Sequence, residues 1–132
     1  MTETFTATAT VLLLDSDPLM RTILHETLER AGYLVVNAGN LGAAVDRVKR
    51  MRPDLLIVRP YINSMQGGMA AQYLRAECPG LAVLIVDGFI DDERIHVQNS
   101  VHNFHMFPKP FAPAELLAKV KDIVCIVRGE AR

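Results

Sequence analysis

The sequence has little cysteine and no excess of charge of either sign. Its two cysteines, Cys78 and Cys125, lie far apart and form no Cys-x-x-Cys pair. We therefore expect reduced thiols, with neither a disulfide framework nor a redox role. The 14 basic and 15 acidic residues leave a net charge of −1. This balance provides no basic surface for a phosphate backbone, and the sequence therefore predicts no direct contact with nucleic acid.

Long hydrophobic runs and catalytic motifs are also missing. No apolar stretch approaches the roughly 20 residues that cross a membrane. Residues 1–10 are rich in Thr and Ala and lack the basic start of a signal peptide. The chain contains no Gly-x-x-x-x-Gly-Lys motif, and no Ser-His-Asp or Cys-His grouping falls at the predicted strand ends. We therefore expect a cytoplasmic domain that is not an enzyme and does not contact a membrane, with residues 1–10 as a loose leader.

The chain does contain a regular alternation of two hydropathy patterns. Half of its residues are apolar and 22% are charged, which suits a packed core rather than disorder. Five short apolar runs predict strands that are buried on both faces, as in a parallel sheet. The runs cover residues 11–14, 34–36, 55–58, 82–86 and 104–107.

The segments between these runs have helical periodicity and recognisable ends. Asp17 followed by Pro18 predicts the N-cap and the first residue of a helix, and Gly32 ends that helix. Asn40 and Pro53 bound a second helix in the same way. Five strand–helix repeats predict a three-layer α/β domain with helices on both faces of the sheet.

In such a sheet the functional crevice lies outside the carboxyl ends of the strands. The residues that follow the predicted strands are therefore the candidates for function. They are Asp15 and Ser16 after the first strand, Arg59 after the third, Asp87 after the fourth, and Lys109 in the last loop.

These candidates belong to three motifs. Leu-Leu-Leu-Asp-Ser-Asp-Pro-Leu-Met-Arg surrounds Asp15, Arg-Pro-Asp-Leu-Leu-Ile-Val-Arg ends at Arg59 eight residues before Gly67, and Phe-Pro-Lys-Pro-Phe surrounds Lys109. In this order the chain resembles the receiver domain of two-component response regulators, over a domain of residues 11–127 that is followed by a tail at 128–132. The resemblance implies a flavodoxin-like (βα)5 three-layer sandwich with a five-stranded parallel sheet of order 2-1-3-4-5.

Receivers accept a phosphoryl group on an aspartate at the end of the third strand, and an acidic pair after the first strand holds Mg²⁺ with it. A Ser or Thr ending the fourth strand and a lysine in the last loop contact the phosphoryl oxygens, and an aromatic residue in the fifth strand changes rotamer. Asp15 and Lys109 match the first acid and the lysine. The departures are Ser16 at the second acid, Arg59 at the acceptor, Asp87 at the Ser/Thr position and Met106 at the aromatic switch.

The residue at the acceptor position removes the chemistry of the family. A guanidinium is not a nucleophile and stays protonated in proteins, and Arg59 therefore cannot form an acyl phosphate. Mg²⁺ prefers carboxylates, and we expect its binding to be lost. We expect Arg59 to bridge Asp15 and Asp87 as a fixed cation in place of the metal. Arg59→Asp alone is not expected to restore metal binding, because Ser16 remains in place of the second acid.

The sequence therefore predicts an atypical receiver in bacterial two-component signalling that acts through protein–protein contacts independently of phosphorylation. Two alternatives stay open: a phosphorelay receiver with an unconventional acceptor, and a small-ligand binder at the crevice. The expected partner is a signalling protein or a second receiver, possibly in a homodimer, on the face of the fourth helix, fifth strand and fifth helix. In the last helix, Cys125 and Ile126 fall outside the predicted core arc of Leu116, Leu117, Val120, Ile123, Val124 and Val127.

Overall fold

The structure, a computed structural model, describes residues 9–86, 104–107 and 112–129. These residues form strands and helices. The strands are β1 (Thr10–Leu14), β2 (Leu34–Ala38), β3 (Leu55–Val58), β4 (Tyr61–Ile62), β5 (Met65–Gln66), β6 (Ala82–Val86) and β7 (His105–Phe107). The helices are α1 (Pro18–Arg30), α2 (Leu41–Met51), α3 (Gly67–Glu77) and α4 (Pro113–Arg128).

Five of the strands form one parallel sheet in the order β2-β1-β3-β6-β7. The predicted order 2-1-3-4-5 and the flavodoxin-like fold are therefore confirmed. The antiparallel hairpin of β4 and β5 is an addition that the sequence analysis does not predict, because strands of two residues leave no hydropathy pattern. Asn63, with φ of 57°, lies in the turn of this hairpin.

The sheet is buried on both faces, as the continuous apolar runs predict. In β1, Leu12 and Leu14 pack in the core formed with α2 and α3, whereas Val11 and Leu13 pack in the core formed with α1 and α4. This alternation follows from the period of two in an extended chain. Because helices cover both faces, the edges where the strands end are left for polar groups.

The helices begin where local capping predicts. Asp17 accepts a hydrogen bond from the Leu19 N–H at 3.0 Å and caps α1. Asn40 accepts one from the Ala43 N–H at 2.8 Å and caps α2. Gly32 follows α1 with a φ of 100°, a backbone conformation that glycine adopts without a steric penalty.

The fold extends slightly beyond the predicted limits of residues 11 and 127. Ala9 is buried and accepts a hydrogen bond from the Leu34 N–H at 3.0 Å, and Thr10 is the first residue of β1. These two residues belong to the fold rather than to the leader, and α4 continues to Arg128. No helix in the described ranges is long and apolar enough to cross a lipid bilayer.

The last turns of α4 differ from the predicted core arc at two residues. Cys125, predicted to face away from the core, is buried, and it lies near Tyr33 in the connection between α1 and β2. Val127, predicted to lie in the core, is 38% exposed. A helical wheel does not show a loop that covers the far side of a helix, as at Cys125. It also does not show where a helix extends beyond the sheet, as at Val127. Ile126 lies outside the core as predicted and is 67% exposed.

Candidate functional site

Asp15, the first residue after β1, is the buried centre of the carboxyl edge of the sheet. Its N–H donates to the Ala38 carbonyl at 3.1 Å, and its Oδ1 accepts the Asp17 N–H at 2.8 Å. Its Oδ2 is also buried and has no hydrogen-bond partner in the described part of the chain. Burial raises the pKa of Asp15, whereas the Asp17 N–H and the charge of Arg59 act in the opposite direction. A carboxylate in this environment needs a nearby cation to remain ionised at low cost.

Arg59 provides that cation. Leu14 pairs with Val58 in the register of β1 and β3, and the next residues, Asp15 and Arg59, therefore leave the sheet side by side. The Nη1 atom of Arg59 lies 3.8 Å from Oδ1 of Asp15. At this distance the two groups form an ion pair but not a hydrogen bond. The side chain is 26% exposed, and the guanidinium is therefore held at the site rather than extended into solvent.

Asp17 is a second acid at the site that the sequence analysis assigns only to helix capping. Its Oδ1 accepts the Leu19 N–H, while its Oδ2 lies 3.7 Å from Nη1 of Arg59. One nitrogen of Arg59 is thus nearly equidistant from two carboxylates. The signal in the sequence is the Asp-x-Asp spacing, because a capping aspartate three residues after the last residue of the strand is still at the carboxyl edge.

The other predicted site residues divide into two groups. Ser16 lies between the two acids and is exposed. Met106 lies in β7, in register with Ile85 of β6. Asp87 and Lys109 lie outside the described residues. The contact between Arg59 and Asp87 therefore stays a prediction.

A second guanidinium, from Arg21 of α1, also reaches Asp15. Its Nη1 donates to the backbone carbonyl of Asp15 at 2.6 Å. Gly39 makes room for it, because a Cβ atom at that position would lie 3.1 Å from the same nitrogen. Arg21 contacts the backbone of Asp15 and not its side chain, and no motif in the sequence indicates this role. Among the described side chains around Asp15, two carboxylates therefore face two guanidinium groups.

Gly67, eight residues after Arg59, packs against the backbone that follows β3. Its N–H donates to the Pro60 carbonyl at 2.6 Å. A Cβ atom at Gly67 would overlap the carbonyl oxygen of Arg59. The start of α3 can therefore pack against the end of β3 only if residue 67 has no side chain.

The described residues at this edge do not fit the Mg²⁺ ion that the family resemblance implies. The site has two carboxylates, and the described ranges contain no group of three or more His, Cys, Asp or Glu residues arranged to hold a metal. A guanidinium already lies within 4 Å of both carboxylates. At an effective dielectric constant of 20, a divalent cation about 4 Å from that charge would be repelled by roughly 8 kcal/mol.

Comparison with known proteins agrees with the fold and the motifs. The model of a family described as the response regulator receiver domain matches residues 11–121. The chain belongs to this receiver-domain family. The DNA-binding response regulator MtrA of Mycolicibacterium smegmatis is 27% identical to it over 113 residues, which are 84% of this chain and 48% of that protein.

Two further proteins are similar to this chain over most of their own length. Sporulation initiation phosphotransferase F of Bacillus subtilis is 26% identical over 111 residues, which are 84% of this receiver and 90% of that protein. The solved CheY-like receiver domain protein from Methanospirillum hungatei superimposes with a TM-score of 0.84 at 20% identity, covering 95% of this chain and 100% of that one. This last likeness shows the fold alone. The chain spans about half the length of the MtrA relatives that it matches.

Proposed function

We propose that this receiver acts through protein–protein contacts without accepting a phosphoryl group, binding Mg²⁺ or catalysing a reaction. The observation that supports the proposal is the Arg59 guanidinium at the acceptor position, 3.8 Å from the Asp15 carboxylate. Phosphoryl transfer to a receiver requires a carboxylate nucleophile at that position, and a guanidinium has no lone pair available for attack.

The positive charge that a metal ion would bring to this edge is replaced by a permanent positive charge on the protein. A guanidinium is a permanent cation in proteins. The ion pairs of Arg59 with Asp15 and Asp17 therefore do not depend on a kinase or on metal concentration. A receiver built in this way presents its contact surfaces constitutively.

An unconventional acceptor has less support from the geometry. Asp54, the closest aspartate before Arg59 in the sequence, lies at the opposite edge of the sheet, where its Oδ2 accepts the Thr10 N–H at 2.9 Å. Asp17 is at the correct edge, but its two oxygens already serve the α1 cap and the ion pair with Arg59. Neither carboxylate has the position and the metal ligands that phosphoryl transfer needs.

The proposal is tested by incubating the purified chain with acetyl phosphate and Mg²⁺ and measuring its intact mass. Sporulation initiation phosphotransferase F, a similar protein, tests under the same conditions whether the reagent is active. We expect no mass gain for this chain. A gain of one phosphoryl group that disappears when Mg²⁺ is chelated would overturn the proposal, and peptide mapping would then identify the acceptor.

The predicted fourth helix of the contact face lies outside the described residues, whereas the predicted fifth helix is α4. The contact surface is therefore tested at Ile126 of α4, which is 67% exposed. Ile126→Glu should weaken a homodimer or a partner complex without unfolding the domain, because the side chain lies outside the core. Sedimentation of the wild type and the variant measures the self-association. The same species at the same concentrations, together with unchanged partners in a pull-down, would exclude this part of the helix as the interface.

A further inference from the structure

The two carboxylates of the carboxyl edge share one cationic nitrogen. Nη1 of Arg59 lies 3.8 Å from Oδ1 of Asp15 and 3.7 Å from Oδ2 of Asp17. Asp15 and Asp17 both lie in the turn between β1 and α1, and Arg59 follows the neighbouring strand β3. A cation that joins this turn to the end of another strand is a tertiary ion pair rather than a local helical one.

We propose that Asp15 and Asp17 form the cation site of this receiver and that the Arg59 guanidinium is its built-in cation. The inference rests on the proposed function, because it assumes that residue 59 is a cation rather than an acceptor. It adds which acid is the second one: Asp17 serves in place of Ser16.

A buried atom supports this assignment independently of the two ion-pair distances. Oδ2 of Asp15 is buried without a hydrogen-bond partner in the described part of the chain, and Oδ1 of Asp15 is fixed by the Asp17 N–H at 2.8 Å. Buried carboxylate oxygens are rarely left without a partner unless an ion or water binds there. A carboxylate with one buried, unpartnered oxygen needs a neighbouring positive charge, and the Arg59 guanidinium 3.8 Å from Asp15 is such a charge.

The turn between β1 and α1 explains why the second acid is Asp17. The hydrogen bond from the Asp17 N–H to Asp15 brings the two residues onto one side of the turn. The cap bond from the Leu19 N–H occupies Oδ1 of Asp17 and leaves Oδ2 facing Arg59. Ser16, between them, is exposed and carries no charge.

This arrangement changes the expectation for Arg59→Asp. From the sequence, that substitution leaves the site one acid short because of Ser16. From the structure, it creates three carboxylates, at positions 15, 17 and 59, and removes the competing cation. Three carboxylates, two from the β1–α1 turn and one from the end of β3, are a suitable ligand set for a divalent ion. The variant should therefore bind a divalent cation that the wild type does not bind.

The experiment measures Mn²⁺ binding to the full chain by electron paramagnetic resonance of the free ion. Thermal melts with Mn²⁺ and with EDTA run in parallel. The wild type should bind no Mn²⁺ at this site, whereas R59D should bind it and melt higher with Mn²⁺ than with EDTA. R59D/D17N should bind about tenfold more weakly or not at all. The matched control R59D/S16A should bind as R59D does. Asparagine caps helices as well as aspartate does, and D17N therefore keeps α1 intact.

Three outcomes would overturn the inference: equal Mn²⁺ affinity of R59D and R59D/D17N, loss of binding in R59D/S16A, or binding that appears only in R59D/S16D. If R59D does not fold without metal, urea unfolding of R59Q, D17N and R59Q/D17N tests the same pair. Non-additive effects that shrink at high salt are expected, and additive effects would contradict the pairing. Phosphoryl labelling of the wild type tests the proposed function separately, because that result does not depend on any Mn²⁺ measurement.

Discussion

The two edges of the parallel sheet hold their charged groups in different ways. At the carboxyl edge, the buried Asp15 carboxylate faces the Arg59 guanidinium at 3.8 Å. Near the amino edge, the Arg75 guanidinium lies 4.9 Å from the centroid of the Phe104 ring, and its Nε donates to the Leu81 carbonyl at 3.0 Å. Opposite charges therefore stabilise the carboxyl edge, whereas an aromatic ring and a backbone carbonyl stabilise the guanidinium near the amino edge.

The amino edge also contains a groove of about 290 Å³ where β6 and β7 begin. Arg75, Leu81 and His105 line it together with Ile126 and Val127 of α4. This lining is partly apolar, and two of its side chains are basic. The groove lies at the opposite edge from Asp15 and Arg59, and substitutions at the two edges can therefore be compared as separate experiments.

The largest expected effect tests the backbone at the carboxyl edge. Gly67→Ala should lower the free energy of unfolding by about 2–3 kcal/mol, because the added Cβ would overlap the Arg59 carbonyl. Urea unfolding measures the loss. The matched control is Gly42→Ala in the first turn of α2. There the atom nearest to the added Cβ would be Oδ1 of Asn40, at 3.4 Å. This control should be neutral or stabilising, since alanine favours a helix over glycine. Equal stability of both variants would show that the contact at Gly67 is not a constraint.

The second prediction compares the guanidinium groups of the two edges. Arg59→Ala should cost about 1–3 kcal/mol at neutral pH, because it leaves the Asp15 carboxylate buried without that cation. Adding Asp15→Asn should recover most of the loss, since asparagine can still accept the Asp17 N–H without carrying a charge.

Arg75→Ala is the matched control at the amino edge. Its loss of about 0.5–2 kcal/mol comes from the Phe104 ring and the Leu81 carbonyl, and Asp15→Asn should not relieve it. Double-mutant cycles from urea unfolding give both coupling energies. If the effect of Asp15→Asn on the free energy of unfolding adds equally to the effects of Arg59→Ala and Arg75→Ala, Asp15 is not specifically coupled to Arg59 and the proposed electrostatic difference between the two edges is contradicted.

The smallest effect is a pH dependence at the amino edge. Burial lowers the pKa of His105 from its usual value of 6.5, and the positive charges of Lys119 and Arg75 lower it further. The unfolded chain therefore binds a proton at this residue more readily than the folded chain does. The contribution of His105 to stability is present above about pH 6.5 and is lost as the pH falls through the lower folded pKa.

Unfolding in urea at several pH values between neutral and mildly acidic measures this effect. His105→Gln should reduce the loss of stability at acidic pH relative to the wild type, because glutamine does not titrate. Identical slopes for the two proteins over this range would show that burial of His105 does not favour its neutral form.

The sequence predicts the layers of this domain better than its edges. Continuous apolar runs located β1, β3 and β6 to within one residue, because strands covered on both faces leave no polar positions inside them. Helical periodicity was wrong at Cys125, where the connection that contains Tyr33 covers the side that the helical wheel leaves open. Periodicity describes one element at a time, whereas burial depends on what packs against it.

The amino-acid sequence alone places an arginine at the end of the third predicted strand, where receivers have the aspartate that is phosphorylated. It also determined the cap of α1, because an aspartate before a proline satisfies the first helical N–H groups locally. Which acids face Arg59 depends on how the strands pair. The parallel register of β1 and β3 places Asp15 beside it, and the turn into α1 brings Asp17 to the same nitrogen. These distances depend on strand pairing between residues more than 40 positions apart in the chain, and no local pattern contains them.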